Sequence, residues 1–329
     1  EMAALLANLE PGDEVIVPSF TFVSTASAFA LRGARLRFVD IDARTLNMDP
    51  EQVERAITPR TRVVVPVHYA GVACDMDALV DIARRHDLLL IEDAAQAVNA
   101  THRGQALGTL GHLGCYSFHE TKNFISGEGG ALVVNDDRLV ARAEVVLHKG
   151  TNRSSFDRGE VDRYTWVGMG SSYGPSELTA AFLYAQLEES ESITRRRRAI
   201  WGRYHAGFAA SEEMGLLRRP FVPSLAEHNA HMYYLLMPTA AMRDELIARL
   251  RAEGVHGVFH YVPLHEAPMG RQHGEALGDL PVTVDSAGRL VRLPCHYGLS
   301  AEEQNRVIVA VENAVAAMAC SGVAPEGAR

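Results

Sequence analysis

The 329-residue chain is too long for one small domain and fits two, or one large α/β domain with an appendage. Its residues are 47% hydrophobic and 22% charged, ordinary for a globular protein, and a net charge of −9 argues against nucleic acid as the main partner, whose phosphates favour basic surfaces. No apolar run approaches the ~20 residues that a bilayer span requires, and Cys74, Cys115, Cys295 and Cys320 lack CxxC spacing, so they read as reduced thiols of a cytoplasmic protein, with no metal site suggested.

Residues 1–9 already show helical apolar spacing without a capping residue in front, so the chain is expected to be an N-terminally truncated fragment for which no signal peptide can be judged. Short runs rich in Val, Ile and Leu at 14–18, 36–39, 63–67, 88–92, 115–118 and 131–135 predict strands buried on both faces. Helical stretches at 25–31, 50–57 and 76–86 lie between them; Asp49-Pro50-Glu51 supplies an acidic N-cap and a first-turn proline. Strands separated by helices imply a largely parallel sheet with crossover helices, whose ligands gather at the carboxyl ends of the strands. From Pro175 the pattern changes: a long helical stretch to Arg203, strands at 232–237 and 255–261, a helix at 242–253 and a closing helix at 301–317. The expected division is a large domain over 1–195, a smaller α+β domain over 196–319 and a disordered tail over 320–329.

Two residues carry the chemistry. Lys122 lies in Ser117-Phe118-His119-Glu120-Thr121-Lys122-Asn123, and Asp93 closes the strand Ile91-Glu92-Asp93. An amine able to form an imine and a strand-end carboxylate able to keep a pyridine nitrogen protonated are the groups that pyridoxal phosphate (PLP) chemistry requires. Taken singly, Lys122 is a loop lysine, while Asp93 reads equally well as a helix N-cap in front of Ala94-Ala95-Gln96-Ala97 and as the ring partner, two roles that do not exclude each other. Aromatic residues, Ser117 and His119 before the lysine and Gly127-Glu128-Gly129-Gly130 after it weaken the bland reading. Gln96, one turn on, is either a contact to a ring hydroxyl or an ordinary polar helix residue, and Phe22 is either core or a flat face stacked on the ring.

The segments 18–25, 65–75, 92–96, 114–123, 127–130, 149–153 and 259–265 together resemble the DegT/StrS family of sugar-nucleotide aminotransferases over nearly the whole chain, to about Ala317. The resemblance implies an α/β fold-type-I PLP-dependent transferase: a mostly parallel sheet sandwiched by helices, plus a smaller C-terminal α+β part. It also implies pyridoxal 5'-phosphate as cofactor, Lys122 as Schiff-base lysine, Asp93 as ring-nitrogen partner, Gln96 at the ring oxygen, Phe22 as stacking face and Ser117 on the phosphate. Ser172 stands where many members place an asparagine that reaches the phosphate from a second subunit. Asn152 and Arg153 would lie at a homodimer interface near the substrate, and His260 and Tyr261 would line the sugar-nucleotide pocket. Ser-Phe-His-Glu-Thr-Lys-Asn with Lys149-Gly150-Thr151-Asn152-Arg153 is similar to the members that aminate dTDP-4-dehydro-6-deoxy-D-glucose with L-glutamate for surface polysaccharide synthesis. Two features depart from the pattern: the family's phosphate-binding Thr-Ala turn belongs before Glu1, and Gly174-Pro175 replaces bulkier residues.

Other signals are weaker. His119-Glu120-Thr121-Lys122-Asn123 fails as HExxH at Asn123, and neither a GxxxxGK[ST] loop nor a strand-borne GxGxxG occurs. His256, His260 and His265 straddle a strand and a proline and read as scattered histidines. Arg195-Arg196-Arg197-Arg198 reads as a solvated helix face with a Glu191–Arg195 pair. A regulatory PLP-binding homologue without turnover and a sugar dehydratase on the same fold are the rival readings, and relatives of the latter kind generally carry histidine where Lys122 stands.

Overall fold

The computed structural model describes residues 1–320; of the expected tail over 320–329, Cys320 still belongs to the helix Ala301–Cys320 and the rest lies outside the described residues. Four parallel strands, β1 (Glu14–Pro18), β2 (Arg35–Val39), β3 (Thr61–Val64) and β4 (Leu89–Asp93), form the centre of a seven-stranded sheet. Its order is Gly274–Ala276, β2, β1, β3, β4, Leu113–Ser117, Gly130–Val134, and only the last pair is antiparallel. All five residues of β1 are buried. Successive side chains leave opposite faces of a strand: Val15 and Val17 join a core with Ala26 and Phe29 of the helix Val23–Ala30, and Ile16 joins one with Val53, Leu79 and Ile82 of the helices Pro50–Ala56 and Met76–Arg85. Helices on both faces make this the expected α/β sandwich. Asp49 caps its helix as predicted, accepting from the N–H of Glu51, and Asp75 caps the next, accepting from that of Ala78.

In the C-terminal part, Tyr233–Leu236 and Leu290–Leu293 form an antiparallel pair under the helices Ala240–Ala252 and Ala301–Cys320. Alternation again separates the faces. Tyr233, Leu235, Val291 and Leu293 enter the helical core, whereas Tyr234 and Leu236 pack with Phe20 and Tyr69 toward the large sheet.

Four sequence expectations change. The stretch from Pro175 to Arg203 is two helices, Glu177–Glu188 and Ser190–Gly207, broken at Glu189 (φ −95°, ψ 11°); the second is continuous through positions 195 and 196. Residues 255–261 are not a strand: a single bridge from Val258 to Arg292 is the extent of their pairing, and Tyr261 takes φ +53°. The edge strand Gly274–Ala276 arises from a segment with no strand pattern, held by its partner β2. The arginine run is not a solvated face. Arg197 is 6% exposed and donates to the carbonyls of Ala230, His231 and Cys295, Arg196 donates to Leu299 O and Arg198 to His228 O, and the Glu191–Arg195 pair does not form among the described residues.

Candidate active site

Asp93 ends β4 and Ser117 ends the neighbouring strand, so both stand at the carboxyl edge of the sheet, where ligands of such folds collect. The expected helix after Asp93 does not form. Residues 94–100 make successive turns instead, and the Asp93 carboxylate accepts from the N–H of Ala95 (3.1 Å) and the hydroxyl of Thr25 (2.6 Å). Asp93 makes no ion pair among the described residues. Beside it, Glu92 is fully buried and accepts from the N–H groups of Gly108, Leu110 and Gly111 and from His68 Nε2 (2.8 Å). Since His68 Nδ1 accepts from the N–H of Cys74, the ring is held in one tautomer. Burial opposes the Glu92 charge, but these donors hold its pKa below the usual carboxylate range. The alternation of β4 thus sends Glu92 into an anchor and leaves Asp93 facing the crevice.

Lys122 sits in the loop between Leu113–Ser117 and Gly130–Val134. The loop is tied on both sides: Asn123 donates to Asn229 O and bonds His231 Nδ1, Phe124 is buried, and Ile125 exchanges two hydrogen bonds with the Gln186 amide. The amine is largely buried without an ion-pair partner among the described residues. Burial lowers its pKa, the Asp93 charge works in the opposite sense, and Arg292 lowers it further. An amine and a carboxylate therefore face one crevice unneutralised by each other, which suits a group carrying both an aldehyde and a basic ring nitrogen. Lys122, Gln96 and Ser117 line one small pocket with Asn123, Asn229 and His231. Phe22, 57% exposed at the N-cap of Val23–Ala30, is not core and offers a free ring face. The donor set fits PLP.

The other predicted residues divide. Gln96 is committed: its carbonyl accepts from the N–H of Ala70 and its amide donates to Tyr261 OH (2.8 Å). His260 stacks on Tyr261 (3.6 Å between centroids) and bonds Tyr69 OH (2.9 Å); burial, Arg292 and Lys122 drop its pKa to about 2, so the imidazole is neutral. Ser172 is exposed and bridges His148, Asn152 bonds the N–H of Thr165, and Arg153 is exposed with Asp157 3.4 Å away. Sequence reasoning missed Thr25, Asn229, His231 and Arg292, each brought in by a contact from a distant segment.

The turn after β3 fixes one wall. Gly71 has φ +76°, and a Cβ there would lie 2.0 Å from Asn229 Oδ1 and 3.0 Å from Gln96 O. Gly71→Ala is expected to cost about 2–4 kcal/mol from backbone strain and overpacking, read as a lowered thermal midpoint.

The comparisons agree with this geometry. The model of the DegT/DnrJ/EryC1/StrS aminotransferase family matches residues 1–312. The chain is 35% identical to the "Spore coat polysaccharide biosynthesis protein SpsC" of Bacillus subtilis, covering 95% of this chain and 82% of that one. It is also 35% identical to the GDP-perosamine synthase of Caulobacter vibrioides, covering 94% and 81%. Among solved structures, the aminotransferase TlmJ from Streptoalloteichus hindustanus superposes with a TM-score of 0.88 at 33% identity, covering 96% of this chain and 83% of that one. The chain belongs to the DegT/DnrJ/EryC1/StrS aminotransferase family and is a PLP-dependent transaminase.

Proposed function

We propose that the protein transfers the amino group of L-glutamate to the keto carbon of a nucleotide-linked sugar, dTDP-4-dehydro-6-deoxy-D-glucose before others, giving a 4-amino-4,6-dideoxy sugar for surface polysaccharide. The observation that carries this reading is the pairing of a desolvated Lys122 amine with an uncompensated Asp93 carboxylate across one crevice. The motifs around Lys122 and Lys149, and relatives named for polysaccharide synthesis and for making GDP-perosamine, support the sugar.

When bound, PLP supplies an electrophilic carbon for an incoming amine and a ring that accepts the electrons freed at the donor's Cα. Lys122 would hold the cofactor through its Nζ. The same Nζ would take the proton from the donor's Cα, and would serve as proton donor and acceptor again in the keto-sugar half-reaction. Asp93, fixed by Thr25 and Ala95, would support the charge at the ring nitrogen. Phe22 would offer its face to the ring, Ser117 and Ser172 would hold the phosphate, and Gln96, already bonded to Ala70 and Tyr261, would have its second amide N–H for the ring oxygen. His260 and Tyr261, uncharged, line the sugar side. We assign residues 1–195 to the larger unit and 196–319 to the smaller, apart from Gly274–Ala276, which joins the large sheet beside β2. No helix among the described residues is long and apolar enough to cross a membrane, and we place the enzyme in the cytoplasm.

Asn152, Arg153 and Ser172 reach the site from a second copy in this reading. A broad apolar surface supports a homodimer: Leu178 is 85% exposed and Trp166 73%, with Met169, Phe182 and Tyr184 also exposed, and the helix Glu177–Glu188 buries none of its residues. The double change Leu178→Asp and Phe182→Asp is expected to halve the mass seen by light scattering and to cut turnover with it; a monomeric wild type would refute the shared site.

The deciding assay offers glutamate with dTDP-, UDP- and GDP-linked 3- and 4-keto sugars to the full protein. Oxoglutarate and amino-sugar should form together, fastest with the dTDP-4-keto sugar. Amination of no member of the panel would end the proposal.

A further inference from the structure

Lys122 Nζ is a donor without an acceptor: it makes no hydrogen bond and no ion pair among the described residues. The same small pocket holds an acceptor without a donor. Asn123 gives its amide N–H to Asn229 O (3.1 Å), so Oδ1 is the atom that faces His231 Nδ1, also at 3.1 Å. A carbonyl oxygen only accepts, so Nδ1 carries the hydrogen and, in a neutral ring, Nε2 carries a lone pair. The ring is neutral, because burial first, then Lys122, Arg197, His260 and Arg292 push its pKa well below the usual histidine value. Nε2 makes no hydrogen bond among the described residues, and the ring lines the pocket together with Lys122.

The ring is set in place through its backbone. The N–H of His231 donates to Asn229 Oδ1 (3.0 Å), and its C=O accepts from Arg197 Nη2 (2.7 Å). The other side-chain acceptors of the pocket each receive a donor already: Gln96 Oε1 the N–H of Ala70, Asn123 Oδ1 the imidazole, Asn229 Oδ1 the N–H of His231 and Ser117 Oγ the N–H of His119. Asp93, across the crevice, receives Thr25 and Ala95. A polar group kept from water calls for a partner, and a proton carrier works only when it is held in place. A neutral acceptor suits this amine better than a carboxylate would, because an ion pair would hold it as ammonium.

We propose that His231 is a positioning residue for Lys122: Nε2 accepts a hydrogen bond from Nζ whenever the amine is free, and so keeps it at the crevice. This rests on the reading of Lys122 as the amine of the transamination. Asn123 belongs to the same device, since the orientation of its amide decides which ring nitrogen is left bare.

The test uses the full protein loaded with pyridoxamine phosphate, the cofactor form that leaves Lys122 free, with lysine enriched in carbon-13 at Cε. The sequence holds two lysines, Lys122 and Lys149, so one variant, Lys149→Arg, assigns both signals. Titration is followed in wild type, in His231→Asn, whose amide can sit where Nδ1 is but not where Nε2 is, and in His231→Gln, whose amide reaches the place of Nε2. A hydrogen bond to Nε2 favours the ammonium, so His231→Asn should lower the proton affinity of Lys122 about tenfold, and His231→Gln should stay within about twofold of wild type. An equal loss in both variants overturns the proposal and makes the ring a support for the loop through Asn123 alone; no change in either overturns it by leaving Nε2 idle. If His231→Asn fails to fold, a crystal structure of the wild type with pyridoxamine phosphate decides. Nζ should then lie within about 3.2 Å of Nε2, and an amine bonded elsewhere overturns the proposal. A wild type that shows this contact yet aminates no sugar refutes the sugar reading and leaves the role of His231 standing.

Discussion

Lys122→Ala is expected to lower turnover by about 10⁴-fold or more, because one amine both holds the cofactor and moves the proton, and general acid–base transfer alone contributes roughly 10²–10⁴-fold. The fold should survive. Residue 122 contributes a backbone N–H to His119 O, which alanine keeps, and the loop is fastened by Asn123, Phe124 and Ile125 rather than by the lysine side chain. Removing a desolvated cation also relieves part of the charge crowding that depresses His231 and His260. Thermal midpoints close to wild type with activity gone are the expected pattern. Borohydride treatment of the wild-type holoprotein should add the cofactor's mass to the peptide bearing Lys122, and Lys122→Ala should take up none. Retained turnover in the variant, or a label on another residue, would refute the assignment.

Much of the large sheet was legible because its strands are short Val, Ile and Leu runs between helices; β1 is buried on both faces as expected, whereas Gly130–Val134 at the edge has no buried residue. Elements decided by distant partners were not. Gly274–Ala276 has no strand pattern and is ordered by β2, and 255–261 looks like a strand but its only bridge joins Val258 to Arg292. The run of four arginines shows the same limit from the other side. Composition alone makes it a surface, yet Arg197 is drawn inward by three carbonyls that the helix Ser190–Gly207 happens to face. Lys122 and Asp93 could be singled out since each sits in a segment whose residue types suit one chemistry. Thr25, His231 and Arg292 are common residues in unremarkable sequence, and only the crossing of strand ends with the C-terminal pair brings them to the crevice.

Asp93→Asn separates charge from shape and is expected to lower turnover by about 10³-fold, the scale of losing one preorganised electrostatic partner in a buried site. Asparagine keeps an oxygen for the Ala95 N–H (3.1 Å) or the Thr25 hydroxyl (2.6 Å), so the turn after β4 is retained. Glu92, the next residue, fastens the strand end independently through Gly108, Leu110, Gly111 and His68. What disappears is the negative charge that would keep a ring nitrogen protonated against Lys122 and Arg292 nearby. Cofactor should still attach to Lys122, with attachment followed by absorbance, while proton removal from the donor slows. Thr25→Val leaves the charge but frees one oxygen to wander, and a loss near tenfold is expected there. If Asp93→Asn stayed within tenfold of wild type while Thr25→Val fell by 10³, the hydroxyl and not the carboxylate would be the group supporting the ring.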